Sequence, residues 1–177
     1  MEAGRGEWEE GGRRTASYYD EWIRYNFFRG ERLRCSNGYT YRVRRPLGRG
    51  HSGECYEVER LGSATLACMK AAESKGEGQK DDLLNELRAL LQIQQQLRKN
   101  YNRVGKHVVL TSGPSQLLQF QAFGRNFSAI ETELLGDSVA AVKRRLGPFT
   151  DEAATAVALQ MLDGLEEVHD SYHIHRD

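Results

Sequence analysis

The stretch Leu47-Gly48-Arg49-Gly50-His51-Ser52-Gly53 lies between two runs of strand-forming residues, and this constrains the fold more than any other feature of the chain. Glycine has no Cβ, so Gly48, Gly50 and Gly53 allow backbone amides to approach phosphate oxygens closely. The Gly-x-Gly-x-x-Gly pattern also occurs in dinucleotide-binding folds, where a helix should follow directly. Here the β-prone Cys55-Tyr56-Glu57-Val58-Glu59 follows instead. The run therefore predicts a glycine hairpin between two strands.

The flanking pattern extends this hairpin into a sheet. Ser36-Asn37-Gly38 is a hairpin-turn signal, and Tyr39 to Arg44 alternates in strand fashion with Arg42 and Arg44 on the solvated face. Leu61-Gly62-Ser63 turns the chain into a third strand, Thr65 to Lys70. Lys75 to Gly78 reads as a flexible connector. A helix is then expected from Asp81 to about Asn100, with Leu83, Leu87, Leu90 and Leu97 on one stripe. Gln94 interrupts that seam, and the run is under four heptads, which argues against a coiled coil. Val108 to Leu110, Gln116 to Phe120 and Phe127 to Thr132 read as further strands, with Gly113-Pro114 and Gly124-Arg125-Asn126 as turns. After Gly136 the pattern turns helical. Asp137 or Ser138 can cap a short helix that Gly147-Pro148 ends, and Thr150 caps a last helix with a broad apolar face from Ala154 to Val168.

At 177 residues the chain can bury one real core. Its net charge is zero and its pI near 7.0, so no global field favours nucleic acid or an anionic membrane. No apolar run approaches the ~20 residues of a membrane span. The first residues lack the apolar core of a secretory signal, and Glu2 rules out the myristoylation pattern. Cys35, Cys55 and Cys68 show neither metal spacing nor an even disulfide framework. An intracellular, reducing location, cytoplasmic or nuclear, is the expectation. Residues 1–17 read as disordered from composition. Tyr18 to Phe28 is an aromatic-rich extension, continuing to residue 38, whose simplest reading is a short helix docked on the sheet.

The ordered set is glycine hairpin, Lys70 on the third strand, Glu86 within Leu83-Leu84-Asn85-Glu86-Leu87, and His175-Arg176-Asp177 after the last helix. In this order, and on these elements, it resembles the eukaryotic protein kinases over residues 39–177. Thr132-Glu133-Leu134-Leu135-Gly136-Asp137-Ser138, Lys70-Ala71-Ala72-Glu73-Ser74 and Tyr172-His173-Ile174-His175-Arg176-Asp177 are similar to segments of the casein kinase 1 group, including the tau-tubulin kinases. The resemblance implies an α+β fold: a five-stranded antiparallel lobe with one packed helix and the hinge over residues 39–136, then the first helices of an incomplete second lobe over 137–177. It implies a serine/threonine protein kinase that uses ATP and Mg²⁺, with a protein substrate.

By that resemblance Lys70 contacts the α- and β-phosphates and Glu86 holds it there, with Glu73, Asp81 and Asp82 as competing carboxylates. Asp177 orients the substrate hydroxyl and accepts its proton. Leu47, Gly48, Gly50 and Gly53 cover the nucleotide, Cys55 and Cys68 sandwich adenine where Val and Ala usually stand, and Thr132 is the gatekeeper. Glu133 to Leu135 would hydrogen-bond adenine through backbone. Ser52 stands where an aromatic residue usually caps the loop. No metal ligand is identified within the 177 residues, because the catalytic-loop Asn and the Asp-Phe-Gly would follow Asp177. The expectation is thus an incomplete catalytic domain, inactive alone. The alternatives are a non-catalytic module that binds nucleotide or a partner, and a truncated product without independent function. Self-association through the apolar last helix is a further expectation, as is thiol chemistry at Cys55 and Cys68 in place of a purely hydrophobic role.

Overall fold

Strand β1 spans Arg32–Arg34, β2 Thr40–Gly50, β3 Gly53–Arg60 and β4 Thr65–Glu73; helix α1 spans Glu77–Tyr101, β5 Leu118–Ala122, β6 Arg125–Glu133, α2 Val139–Leu146 and α3 Asp151–Asp170. This computed structural model describes residues 27–50, 52–74, 77–101, 107–111 and 117–174. His175, Arg176 and Asp177 lie outside the described residues, as do residues 1–17 and the aromatic residues from Tyr18 to Tyr25.

The strands form one antiparallel sheet in the order β1-β2-β3-β4-β6-β5. Among the described residues it has six strands, one more than expected, and the added one is β1 at the N-terminal edge. The Ser36-Asn37-Gly38 turn makes this possible: Gly38 adopts φ 83° and donates to Cys35 O at 3.0 Å. Beyond β1 the chain reaches the opposite edge of the sheet, where Ser36 N donates to Gln119 O at 2.8 Å and Ser36 Oγ accepts from Gln119 N at 3.0 Å. The sheet is therefore strongly curled, with β1 beside β5.

Period-two alternation gives the sheet two distinct faces. On the concave outer face Tyr41, Val43, Tyr56, Val58, Ala67, Met69 and Ala71 are buried with Leu118, Phe120 and Phe127. Phe27 closes this core. Its ring lies 5.0 Å from Tyr56, 5.1 Å from Phe127 and 5.7 Å from Phe120. Of the aromatic extension, then, Phe27 docks on the sheet from irregular backbone, whereas Phe28 is exposed. Glu131 is also buried, taking the Tyr41 hydroxyl at 2.6 Å and an ion pair from Arg60. The Arg60 guanidinium lies over the Tyr39 ring at 4.8 Å.

The other face carries α1. Leu83 and Leu87 pack on Ala72 and Ile130, with Leu90, Leu91 and Leu117 at the margin. The helix begins at Glu77, four residues before the expected start, so the connector is shorter than its Gly-rich sequence suggested. Val108 to Leu110 does not form a strand. That segment is fastened instead by side chains: Gln94 Nε2 donates to Val109 O at 3.3 Å, and Glu133 Oε1 accepts from Leu110 N at 2.8 Å. Gln94, the break in the leucine stripe, is thus a buried polar tie that also accepts from the Thr111 hydroxyl.

The two last helices start where capping chemistry dictates. Ser138 accepts from Ala141 N and Thr150 from Ala153 N, each at 3.2 Å, satisfying amides that an N-terminus leaves unpaired. Gly147 at φ 88° ends α2. Along α3 the apolar face is open, with Leu159, Met161 and Leu162 more than half exposed. Among the described residues no helix is long and apolar enough to cross a membrane.

Candidate functional site

Strand register decides which side chains meet. Cys55 on β3 stands opposite Lys70 on β4, Lys70 stands opposite Ile130 on β6, and Cys68 stands opposite Thr132. Residues 68 and 70 share a face because side chains repeat every two residues in a strand. Lys70 and Cys68 thus point away from the Phe27 core and toward α1.

The helix supplies the counter-charge. Glu86 follows Leu83 by three residues and precedes Leu87 by one, so packing of those leucines fixes its position beside β4. Lys70 Nζ donates to Glu86 Oε1 at 2.8 Å and to Oε2 at 2.7 Å. Neither side chain is fully exposed, at 18% for Lys70 and 32% for Glu86. Of the competing carboxylates, Glu73 pairs with Arg125 at 3.3 Å and Asp82 is exposed. The side chain of Asp81 lies outside the described residues.

The glycine hairpin descends onto this pair. Gly50 pairs with Gly53 at its end, and two register shifts, between Val43 and Arg45 and between Pro46 and Gly48, bend β2 toward the helix. A Cβ at Gly50 would sit 3.5 Å from Lys70 Nζ, and one at Gly53 would lie 2.7 Å from Ala71 O. No side chain fits at Gly53 without moving β4. Ser52 Oγ donates to Glu86 Oε2 at 2.5 Å. Glu86 therefore accepts from the sheet and from the hairpin at once.

Under the hairpin lies a cavity of about 880 Å³. Leu47, Gly48, Gly50, Cys55, Cys68, Lys70, Glu86, Thr132, Glu133 and Leu135 all line it. Gly53 instead packs against β4 behind it, and Asp177 lies outside the described residues. Sequence reasoning missed Ile130, Leu90, Val109 and Ala141, which complete the apolar wall. Ile130 and Leu90 carried a usable signal, since each belongs to an apolar pattern of its element. Val109 did not, because its segment has no regular structure. At the far rim, the Glu133 N–H is committed to Leu110 O at 2.9 Å, and its carbonyl accepts the Thr132 hydroxyl at 3.3 Å.

The neighbouring Cys55 thiol lowers Cys68, helped by the Lys70 charge and opposed by burial. The Cys68 thiol, together with burial, pushes Cys55 up. Cys35 lies elsewhere, in the outer core, and burial pushes it up to about 12.

This hairpin, ion pair and curled sheet place the chain among known folds. The solved structure of vaccinia related kinase 3 superposes on it with a TM-score of 0.55, covering 82% of this chain and 43% of that one at 17% identity. The chain has a protein-kinase-like fold, its sheet and α1 forming the N-lobe. At this identity the likeness is one of fold alone, and the chain spans less than half the length of that kinase. No family model matches the sequence, and no curated protein matches it.

Proposed function

We propose that this chain is the ATP-binding part of a serine/threonine protein kinase of the casein kinase 1 type. The observation that carries the reading is the Lys70–Glu86 pair, closed by two short hydrogen bonds inside a cavity roofed by a glycine hairpin. The residues present fit a nucleotide. The cavity has room for an adenine between the half-buried Cys55 and Cys68 above and the apolar Ile130 and Leu90. Lys70, held by Glu86, is a fixed cation for phosphate oxygens, and the amides of the glycine hairpin are donors beside it. In this reading the backbone from Glu133 to Leu135 would bond the adenine edge through groups other than the Glu133 N–H, which Leu110 O already takes.

ATP supplies the phosphoryl group that a protein hydroxyl would receive. Lys70 holds the α- and β-phosphates of the donor, and Glu86 prevents the ammonium from swinging to solvent. In this reading Asp177 accepts the hydroxyl proton, by resemblance to the kinase His-Arg-Asp. Among the described residues no cluster of three or more His, Cys, Asp or Glu could hold a metal ion.

The test is calorimetric titration of the chain with ATP, with and without Mg²⁺, in wild type, Lys70→Met and Cys68→Phe. Saturable binding that weakens about tenfold or more in Lys70→Met, where a charge-assisted contact worth about 1.5–3 kcal/mol is lost, supports the reading. Cys68→Phe fills the adenine space and should abolish binding while the chain stays folded. Equal ATP affinity in all three proteins would refute the placement.

A further inference from the structure

Strand β1 exposes Arg32 and Arg34 and buries Leu33 between them. The register sets Arg32 directly opposite Arg42 on β2, and Arg34 opposite Thr40. Side chains opposite one another in a ladder stand about 5 Å apart at Cβ, and like charges there repel. Arg44 joins Arg42 on the same face, where one carboxylate serves both: Glu59 Oε2 lies 3.7 Å from Arg42 and 3.2 Å from Arg44. Among the described residues neither Arg32 nor Arg34 has a side-chain partner. Four guanidinium groups thus share one carboxylate, although the chain as a whole has no net charge. The next pair along, Arg45 with Glu57 at 2.6 Å, is neutral. Helix α1 leaves this end of the sheet open, since its leucines rest on Ala72 of β4 and Ile130 of β6.

We propose that this arginine face is a docking surface for an acidic, extended segment of another protein. The inference stands on the sheet face alone and is independent of nucleotide binding. Alternate residues of an extended chain lie about 7 Å apart. Carboxylates two residues apart in such a segment therefore match Arg32 and Arg34, which have the same spacing. Each guanidinium presents a planar fork of N–H groups that takes a carboxylate through two parallel bonds. A carboxylate seated between Arg32 and Arg42 also replaces their mutual repulsion with attraction to both. The same face favours a peptide over a continuous polyanion. Glu57 and Glu59 stand among the arginines and repel a nucleic-acid backbone, whose evenly spaced charges cannot skip them. Leu66, 47% exposed and opposite Glu59, offers apolar contact that a phosphate chain cannot use.

The probe is a short fluorescein-labelled peptide that alternates glutamate with threonine and leucine, titrated with the whole chain at low salt and read by anisotropy. Saturable binding is expected, weakening as salt rises because exposed charges are screened. Arg32→Gln with Arg34→Gln should weaken it about tenfold or more, through the loss of two charge-assisted contacts. Arg88→Gln with Arg125→Gln removes as much charge from exposed positions elsewhere and should leave it unchanged. The first variant relieves the repulsion between residues 32 and 42, so its denaturant midpoint should not fall. Should it fail to fold, Arg32→Lys with Arg34→Lys carries the test: strand and charge stay, the fork is lost, and binding should weaken several-fold. No binding, an equal loss in the Arg88 and Arg125 variant, or equal affinity for a peptide of the same composition with its glutamates in one block would overturn the proposal. Tighter binding of duplex DNA or of phosphatidylserine vesicles than of the peptide would overturn it too, assigning the face to a polyanion or a membrane.

Discussion

Ser52 and Glu86 are joined across the cavity mouth: the hydroxyl at the turn of the glycine hairpin donates to Oε2 of the helical carboxylate at 2.5 Å. The same oxygen receives Lys70 at 2.7 Å. A polar side chain where kinases usually carry an aromatic one thus does not leave the hairpin loose. It ties the hairpin to α1 through the carboxylate that holds the lysine.

That tie gives a first prediction. Between Gly50 and Lys70 there is room for little more than a Cβ, so phosphates entering under the hairpin would lift it and break the Ser52 bond. Ser52→Ala should lower stability by about 1 kcal/mol, the usual net worth of one hydrogen bond. It should also tighten ATP binding several-fold in calorimetry. Weaker binding would mean that Ser52 contacts the phosphates rather than restraining the hairpin.

Glu86→Gln separates the two halves of the ion pair. Both groups are partly exposed, so the stability loss should stay within about 1 kcal/mol. ATP affinity should fall about tenfold, because the Lys70 ammonium is no longer held over the cavity. A large loss of stability with unchanged affinity would make the pair a structural fastening only.

The site was largely legible in the sequence because its parts obey local rules. A glycine hairpin, a lysine at an inward strand position and a glutamate fixed by the leucine periodicity need only strand register and helix packing to converge. Helix ends were legible for the same reason, through Ser138, Thr150 and Gly147. What escaped was decided by distant contacts. Strand β1 has a single inward apolar residue, Leu33, flanked by arginines, too little for a strand signal. Glu131 reads as one more surface acid in sequence, and only the arrival of Tyr41 and Arg60 explains its burial. Val108 to Leu110 has strand composition, but Gln94 and Glu133 hold its backbone in place of a ladder.

Phe27 tests how far the segment before β1 belongs to the lobe. It is 3% exposed and touches three aromatic rings of the outer core. Phe27→Ala should cost about 3–5 kcal/mol in denaturant unfolding, the range for a large buried aromatic. Phe28→Ala, at a residue 67% exposed, should change stability by less than about 0.5 kcal/mol. Similar effects at the two positions would show that the core does not depend on this segment.

Alkaline pH should unfold the lobe through its buried tyrosines. Burial, then the bond to Glu131, pushes Tyr41 up to about 12, and burial with the bond to Glu54 also raises Tyr56. A phenol raised in the folded state binds its proton more tightly there than in the unfolded chain. Its stabilisation is complete below about pH 10 and is lost as pH rises from there through about 12. Stability measured by denaturant should fall across that window, and Tyr41→Phe should flatten the fall. An unchanged slope in the variant would remove Tyr41 from the account.

The open face of α3 carries the last prediction. Leu159, Met161 and Leu162 are 57%, 62% and 60% exposed, and Leu165 is 38% exposed on the same helix. Side chains of this size gain about 1.5–3 kcal/mol each from full burial. Two copies of the 177-residue chain that cover one another's α3 would remove much of this surface from water. The chain should therefore self-associate at micromolar concentration, and Leu159→Gln with Leu162→Gln should shift it to monomer without a loss of helix content, since glutamine keeps a good helix propensity. Light scattering read beside circular dichroism separates the outcomes. A wild-type chain that stays monomeric at high concentration would show that this face is tolerated in water, and that any partner it takes must offer more than apolar area.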